Sequence, residues 1–591
     1  MPAETTAEKN SQEEKGMRRR NQMVALMLAG IMSLSALLTG CGNDADKISE
    51  SKATEAVSTV TTEQKESSEQ EPVDNTLVIA LQTNALVTDY ENNYLTNYLE
   101  EKLGIEIEFV FLPNAADEVN TKLSLMTASG EELPDVLMIN GTLSNEAILQ
   151  YGENGFFMPI GEYLSDASKM PNYNAIPDED RKAMDVSNIL ANGEQYGFVQ
   201  FTPSTWNLAP NRLFINRVWL DAVGKDVPTT TEELKEVLIA FRDEDPNGNG
   251  QKDEIPLYGY QGGYGENIVA TLMNAFVFWN GGTQNGGLAL DEKGENVIAP
   301  FTTEEWKDAL LYVRDLYEEK LFFANIFTDD KTQFKATLNA ETPIVGCVSM
   351  GSLGNFTGAY DITSGSNYFE MEFMKPLTGP EGVCYVPYTS YSGTQMMFIF
   401  EGSEKVDLAI KLADEFYDST TGIISRYGEE GVNWTTDPAD LKGASNSYVY
   451  AGLYDSISMG TLEPTWTVAS DKHWHATNPY YISLDWSNTT TDVTTEFVPD
   501  LPTDLSAQHL EWYVDKHPEH VLNNLLYTYE ETETMMDCNN TIAAYVKQTI
   551  AEFITGTRSI ENGWDTYLKE LEGMGLSTWL KCAQAAYERS K

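Results

Sequence analysis

From Thr76 the chain switches repeatedly between two periods. "TLVIAL" (76–81) is an apolar run of strand length, and "NNYLTNYLEEKLG" then sets Tyr94, Leu95, Tyr98, Leu99 and Leu103 on one helical stripe that stops at Gly104. "IEIEFVFL" (105–112) returns to period two, "DEVNTKLSLMTASG" (117–130) reads as a helix and "DVLMIN" (135–140) as a strand. Strand, helix, strand, helix, strand predicts a mainly parallel sheet covered on both faces. Ligands of such sheets gather beyond the carboxyl ends of the strands, which makes Asn140 and Gly141 candidate pocket residues; an ordinary polar loop is the alternative. Farther on, "TTTEELKEVLIAF" (229–241) opens with a capping box, Thr230 to Glu233, and turns Leu234, Val237, Leu238 and Phe241 inward.

Ahead of this region the pattern is different. Three arginines, Arg18 to Arg20, precede an uncharged apolar run from Met23 to Leu38, which ends in Leu38-Thr39-Gly40-Cys41. The run is shorter than the ~20 apolar residues a spanning helix needs. It resembles a bacterial lipoprotein signal, which implies a signal peptide over 1–40 with translation starting at Met17, cleavage before Cys41 and a diacylglycerol on its sulfur. Residues 41–75 then form a lipidated cysteine and a Ser-, Thr-, Glu- and Lys-rich tether without aromatics, expected to be disordered. Localisation follows: the extracellular face of the cell membrane, held by a lipid anchor.

A chain of 591 residues exceeds one ordinary core, so two or three domains or one large two-lobed unit are expected. Its net charge of −53, with no compensating basic patch, excludes nucleic acid as a partner. Besides Cys41, four scattered cysteines at 347, 384, 538 and 582 form no CxxC pair; pairing and burial as small hydrophobes both stay open. No HExxH, GxSxG, Walker A or helix-opening GxGxxG is present, and no catalytic residue stands out. Paired carboxylates leave a secreted glycan hydrolase as a distant second class. All five histidines lie beyond residue 470, and "HWH" (His473, His475) reads as a solvated loop more readily than as a metal pair.

One acidic turn, "DEDPNGNGQKDEIPLYG" (243–259), gathers oxygen donors at fixed spacing. Counting Asp245 as position 1, Asn247 is 3, Asn249 is 5, the Gln251 carbonyl is 7 and Asp253 is 9, with Gly250 at the sharp turn. This is the first part of an EF-hand loop. Position 12 is Pro256, so Glu254 must supply the remaining carboxylate.

"LMTASGEELPDVLMIN", "NGEQYGFVQ", "NRLFINRVWLDAVGKDVPTTTEELKEVLIAF", "ALLYVRDLYEEKLF", "PLTGPEG" and "RYGEEGVNW" follow one another from the first strands to about Trp434. In this order they resemble landmarks of the extracellular solute-binding proteins of carbohydrate-type ABC importers. That resemblance implies an α/β, type II periplasmic-binding-protein-like fold, two lobes joined by a hinge of three crossing segments, with ligand between them. Residues 76–199 with about 390–430 would form the N-lobe, and 200–389 with much of 431–591 the C-lobe. The first crossing should lie near Val199 to Pro210 and the second near Val386 to Gln395; the third is not readable. Relatives of the alginate-binding kind carry a similar acidic loop with bound calcium, which implies a structural Ca2+ on Asp245, Asn247, Asn249, Gln251, Asp253 and Glu254.

Sugar faces want aromatic platforms. With Asn140, the candidates are Trp206 and Tyr391 in the crossings, Trp279 before "NGG" and Trp434 in "GVNW"; Trp466 and Trp474 also stand in a polar stretch. The shortage of clustered Arg favours a neutral oligosaccharide over a uronate. The expected partners are that ligand, the transmembrane permease subunits and the membrane, with the chain a monomer. A peptide or other small solute is the alternative cargo.

Overall fold

The computed structural model describes residues 74–591, apart from 187, 283, 360–363, 438–447, 452–457, 463–467, 484–489, 493–507 and 524. Cys41, the signal segment, the tether up to Val73 and Trp466 lie outside the described residues. By internal contacts the chain divides into Asn75–Lys122 with Leu133–Lys591, treated below, and a remainder made of Leu123–Glu132 and the segment up to Asp74.

The six strands of the first sheet lie in the order Tyr480–Tyr481, Gly197–Phe201, Thr394–Ile399, Val136–Met138, Thr76–Gln82, Glu106–Leu112. All run parallel except Thr394–Ile399, which is antiparallel to both its neighbours. Local chemistry sets the element ends. Helix Tyr94–Leu103 starts where the Asn93 side chain accepts from the Leu95 N–H, and stops where Gly104 takes a left-handed φ of 66° that a side chain would resist. Leu95 and Leu99 are fully buried beneath it.

The second sheet has the order Met371–Phe373, Arg212–Asn216, Val345–Met350, Ile255–Tyr258, with only the last pair parallel. Helix Thr231–Asp243 covers it. Both bonds of its capping box are present, with the Glu233 N–H donating to Thr230 Oγ1 (3.1 Å) and the Thr230 N–H to Glu233 Oε2 (3.2 Å). A third, antiparallel sheet is built from the short strands Trp434–Thr435, Ser458–Thr461, Tyr448–Ala451 and Thr490–Asp492. Among the described residues no helix is long and apolar enough to cross a membrane.

Two hydrophobic cores result. The first collects Leu77, Val136, Phe198, Ile399, Phe416, Trp434, Trp474 and Tyr480; the second collects Phe214, Trp219, Phe241, Leu257, Trp306, Val348, Tyr513, Phe553 and Trp579. The chain leaves the first core after Phe201 and joins the second at Ala209, returns between Val386 and Met397, and passes a third time between Ile482 and Tyr513. Residues 431–591, which the sequence assigns largely to one lobe, are thus divided. Trp434 and Trp474 to Ile482 serve the first core because Tyr480–Tyr481 adds to its sheet edge, while Tyr513 to Ala586 serve the second.

Tyr513 ties the C-terminal part into the second sheet. Its hydroxyl accepts from the Leu213 N–H (3.1 Å) and donates to the Met374 carbonyl (2.8 Å), fully out of water. Tyr513→Phe leaves a buried N–H without its acceptor and should lower the unfolding free energy by about 1–3 kcal/mol in urea titrations, with an unchanged far-UV spectrum. A loss below about 0.5 kcal/mol would show that neighbouring groups replace the hydroxyl.

Candidate functional site

The carboxyl edge of the first sheet is built on Gln82. At the end of its strand, Gln82 Oε1 accepts from the Asn140 N–H (2.9 Å) and from Thr142 Oγ1 (2.6 Å), and its amide donates to the Asn114 carbonyl (2.9 Å). These bonds hold the segment past Val136–Met138 in place, and Asn140 itself remains exposed. Gly141 follows with φ 60°; a Cβ there would stand 2.8 Å from the Thr394 methyl, so only glycine lets the edge close against the returning strand.

At the start of an inner strand of the second sheet the chain buries a charge. Arg212 is 0 % exposed and makes no ion pair among the described residues. Its Nε donates to His509 Nδ1 (3.1 Å), one terminal nitrogen donates to the Gly351 (2.9 Å) and Pro210 (3.4 Å) carbonyls, and the other to the Trp206 carbonyl. The guanidinium carbon lies 3.4 Å from the centre of the Trp206 ring, a cation–π contact strengthened by the absence of water. The Trp206 indole N–H donates to the Gly351 carbonyl (3.2 Å), and the His509 ring meets Trp206 edge-on at 5.2 Å. Burial first, then the Arg212 charge, pushes His509 down to about 3, so the imidazole is neutral. Accepting at Nδ1 requires the proton on Nε2, which donates to the Thr205 carbonyl (2.9 Å). Burial likewise pushes Arg212 down to about 10. Tyr264 completes the brace, donating to Asn207 Oδ1 (2.5 Å) and the Trp206 carbonyl (3.3 Å).

The second passage runs beside the first, with the Thr389 N–H on the Leu208 carbonyl (2.9 Å) and the Val386 N–H on the Lys516 carbonyl (2.8 Å). Tyr388 lies 4.0 Å from the His517 ring. Tyr391 is half-buried against the first core, and burial pushes its hydroxyl up to about 12. Trp206, Tyr391 and Asn140 are therefore left partly or fully exposed at the sheet edges and passages.

The other two aromatics have a different setting. Trp279 is 7 % exposed, with its ring edge-on to Trp306 at 4.9 Å inside the second core. Trp434 is 3 % exposed and donates to the Gly428 carbonyl (2.7 Å) in the first. Both residues are buried in this structure, unlike Trp206, Tyr391 and Asn140. "HWH" is not a solvated loop: Trp474 is fully buried and donates to Thr96 Oγ1 (2.9 Å), and burial pushes His473 down to about 4.

In the acidic loop Asp245 takes φ 50° and its carboxylate accepts from the Gly250 N–H (3.1 Å), which curls the turn. The amides of Asn247 (3.2 Å) and Asn249 (3.1 Å) both donate to Asp253, and the Gln251 N–H donates to Asn249 Oδ1 (2.7 Å). Glu254 is 8 % exposed, and its Oε1 is buried without a hydrogen-bond partner among the described residues. Burial, then the charges of Asp253 and Asp245, raises its pKa. A cation would neutralise these oxygens, so the donor set fits a hard ion of the calcium kind. No trio of His, Cys, Asp or Glu side chains is arranged as a metal cluster among the described residues; the set leans on Asn oxygens and a main-chain carbonyl.

Two α/β lobes linked by three passages define the class of type II periplasmic-binding-protein-like receptors. The chain belongs to the bacterial extracellular solute-binding protein family, whose model matches residues 83–420, more than half its length. It is 24% identical over 511 residues to the fructooligosaccharide ABC transporter substrate-binding protein FusA of Streptococcus pneumoniae serotype 4 (strain ATCC BAA-334 / TIGR4), covering 85% of this chain and 88% of FusA. It is 27% identical over 346 residues to the lipoprotein LipO of Bacillus subtilis (strain 168), covering 57% and 63%. In fold it is similar to FusA in complex with kestose, with TM-score 0.66, 22% identity and coverage of 87% and 99%. An HMO-binding ABC-transporter-associated solute-binding protein from Bifidobacterium longum infantis ATCC 15697 gives TM-score 0.68 at 20% identity, covering 88% and 99%. A FusA EF-hand mutant in complex with fructo-nystose also superimposes, at TM-score 0.66 and 22% identity, with coverage of 87% and 99%.

The Arg212 cluster was invisible to pattern reading, and its test is direct. Arg212→Lys keeps a buried cation but cannot reproduce the planar fork. Loss of two carbonyl bonds should lower stability by at least about 2 kcal/mol and change the near-UV signal of Trp206. Unchanged stability would show that charge alone suffices.

Proposed function

We propose that this protein is the ligand-capturing subunit of an ABC importer that takes up a neutral oligosaccharide. The observation that carries the reading is Trp206. One ring face lies on a buried guanidinium, the indole N–H is pinned to a carbonyl, and the ring stays half-exposed at the meeting of the passages and the second sheet. A rigid, polarised ring suits the C–H face of a sugar, with Tyr391 and Asn140 across the passages supplying a second aromatic and a polar edge. Arg212 is turned onto carbonyls and His509, so it is not offered to a uronate. The likeness to FusA over most of both chains supports a fructooligosaccharide-like ligand.

In this reading the lobes close on the ligand about the three passages, and only tighter binding to the closed form drives closure. Residues 76–199 with 390–430 and 200–389 with 513–586 are the moving bodies, and Trp434 and Trp474 to Ile482 travel with the first. A lipid on Cys41 holds the monomer at the extracellular face of the membrane, beside the permease; the likeness to LipO supports the anchor. No step of catalysis is assigned. Asp245, Asn247, Asn249, the Gln251 carbonyl, Asp253 and Glu254 would hold Ca2+, which ties the end of helix Thr231–Asp243 to strand Ile255–Tyr258. The EF-hand of FusA supports that assignment.

Two measurements check the reading. Kestose and related oligosaccharides at about 100 times Kd should raise stability by about 2.7 kcal/mol and compact the scattering profile, and Trp206→Ala should weaken binding about tenfold or more. Scattering curves that superimpose with and without every neutral glycan tested would sink it. Calcium should raise Tm, and Glu254→Gln should remove most of that gain while leaving the chelated protein no less stable, since a buried amide replaces a buried charge.

A further inference from the structure

Loop Gly259–Asn267 leaves strand Ile255–Tyr258 at its carboxyl end and folds back on itself. The Tyr260 N–H donates to the Glu266 carbonyl (3.0 Å), the Gly351 N–H to the Tyr264 carbonyl (2.8 Å) and Ser349 Oγ to the Gly265 carbonyl (2.7 Å). This places the side chain of Glu266 in the protein interior, 0 % exposed, beside Asn355, which is 1 % exposed. Asn355 Nδ2 donates to Glu266 Oε1 (2.8 Å). Glu266 Oε2 and Asn355 Oδ1 are both acceptors, both buried, and neither has a donor among the described residues. Two such orphans cost about 1–3 kcal/mol each.

A single hydrogen resolves both. A carboxyl that accepts an amide N–H on one oxygen can donate from the other to the same amide's carbonyl, forming a closed acid–amide pair. We propose that Glu266 is carried as the neutral acid paired with Asn355, and that this pair is the positioning device for the loop that braces Trp206. The loop reaches the platform through Tyr264, whose hydroxyl holds Asn207 and the Trp206 carbonyl.

The surroundings bear on the proton in both directions. The Asn355 amide, the backbone N–H groups of Glu266 and Tyr264, and Lys331 on the neighbouring helix favour the anion; burial outweighs them and raises the pKa. Tyr260 and Tyr264 face the carboxyl from its own loop, and Asp330, at the cap of the helix that carries Lys331, faces Tyr260. The Glu266 Oε2 and the Tyr260 hydroxyl each lie 2.3 Å from where a Cβ on Gly263 would stand, so the loop closes over the acid only with glycine at 263. A group whose folded pKa is raised contributes stability that is fully present below the unfolded value. That stability is lost as pH rises through the folded value.

The pairing does not depend on what the cleft binds; only the role of Trp206 as platform rests on the proposed function, and the test uses no sugar. Infrared difference spectra of the whole protein, wild type against Glu266→Gln, are recorded across a pH titration together with thermal unfolding. The wild type should show a protonated-carboxyl C=O band, absent from the variant, that persists above the range where exposed glutamates ionise. Its Tm should fall as pH rises above the unfolded glutamate range while that band persists and level off once the band has gone, whereas Glu266→Gln, whose amide can donate to Asn355 Oδ1 and accept from its Nδ2, should not follow. Glu266→Ala should be destabilised throughout. The near-UV signal assigned to Trp206 by subtraction of Trp206→Phe should titrate with the same midpoint in the wild type. Absence of the band above the ordinary glutamate range overturns the pair, as does a sodium- or calcium-induced rise in Tm that requires Glu266. A Trp206 signal indifferent to that titration overturns the positioning role.

Discussion

One buried positive charge organises the junction of this molecule. Arg212 sits at the start of an inner strand of the second sheet, and the groups that receive its hydrogen bonds come from the first passage, the far end of the neighbouring strand and the end of the third passage. An unpaired cation out of water is tolerated only where carbonyls, an imidazole lone pair and an aromatic face surround it. Those acceptors must be brought to it from positions as far apart as residues 206 and 509. The constraint therefore fixes where the first and third passages meet the second lobe.

The same concern with burial governs the acidic side of the chain. Asp414 accepts the Asn172 (3.2 Å) and Tyr173 (3.0 Å) N–H groups at a helix start; Glu415 takes the Lys102 ammonium at 2.6 Å. Glu254 and Glu266 each keep one buried oxygen without a hydrogen-bond partner among the described residues. A net charge of −53 needs little explanation beyond solubility, whereas Asp414 and Glu415, taken inside, are each compensated by specific donors.

The alternating apolar runs, the Gly104 stop and the Thr230 capping box were legible because each depends on residues close in sequence. The acidic loop was legible for the same reason. What pattern could not supply was the third dimension. Trp279 beside "NGG" and Trp434 beside "GVN" read as loop aromatics, yet packing against Trp306 and the bond to Gly428 enclose them. His473 and Trp474 sit in a polar stretch whose burial follows from Asn93 and Thr96, hundreds of residues earlier. Arg212 and His509 are 297 positions apart, and neither carries a local sign of the other. Asn355 stands 89 residues from Glu266.

The lone antiparallel strand, Thr394–Ile399, carries a lesson about time. It fills the gap between Val136–Met138 and Gly197–Phe201, so a growing chain of two hundred residues holds only the separated parts of a sheet. The missing piece is synthesised after the whole of the second sheet. A polypeptide wired in this way stays without its central hydrogen-bond ladder while it is being made, because pairing across such sequence distances is slow and late. The first sheet therefore becomes continuous only once a strand encoded about two hundred residues farther along has arrived.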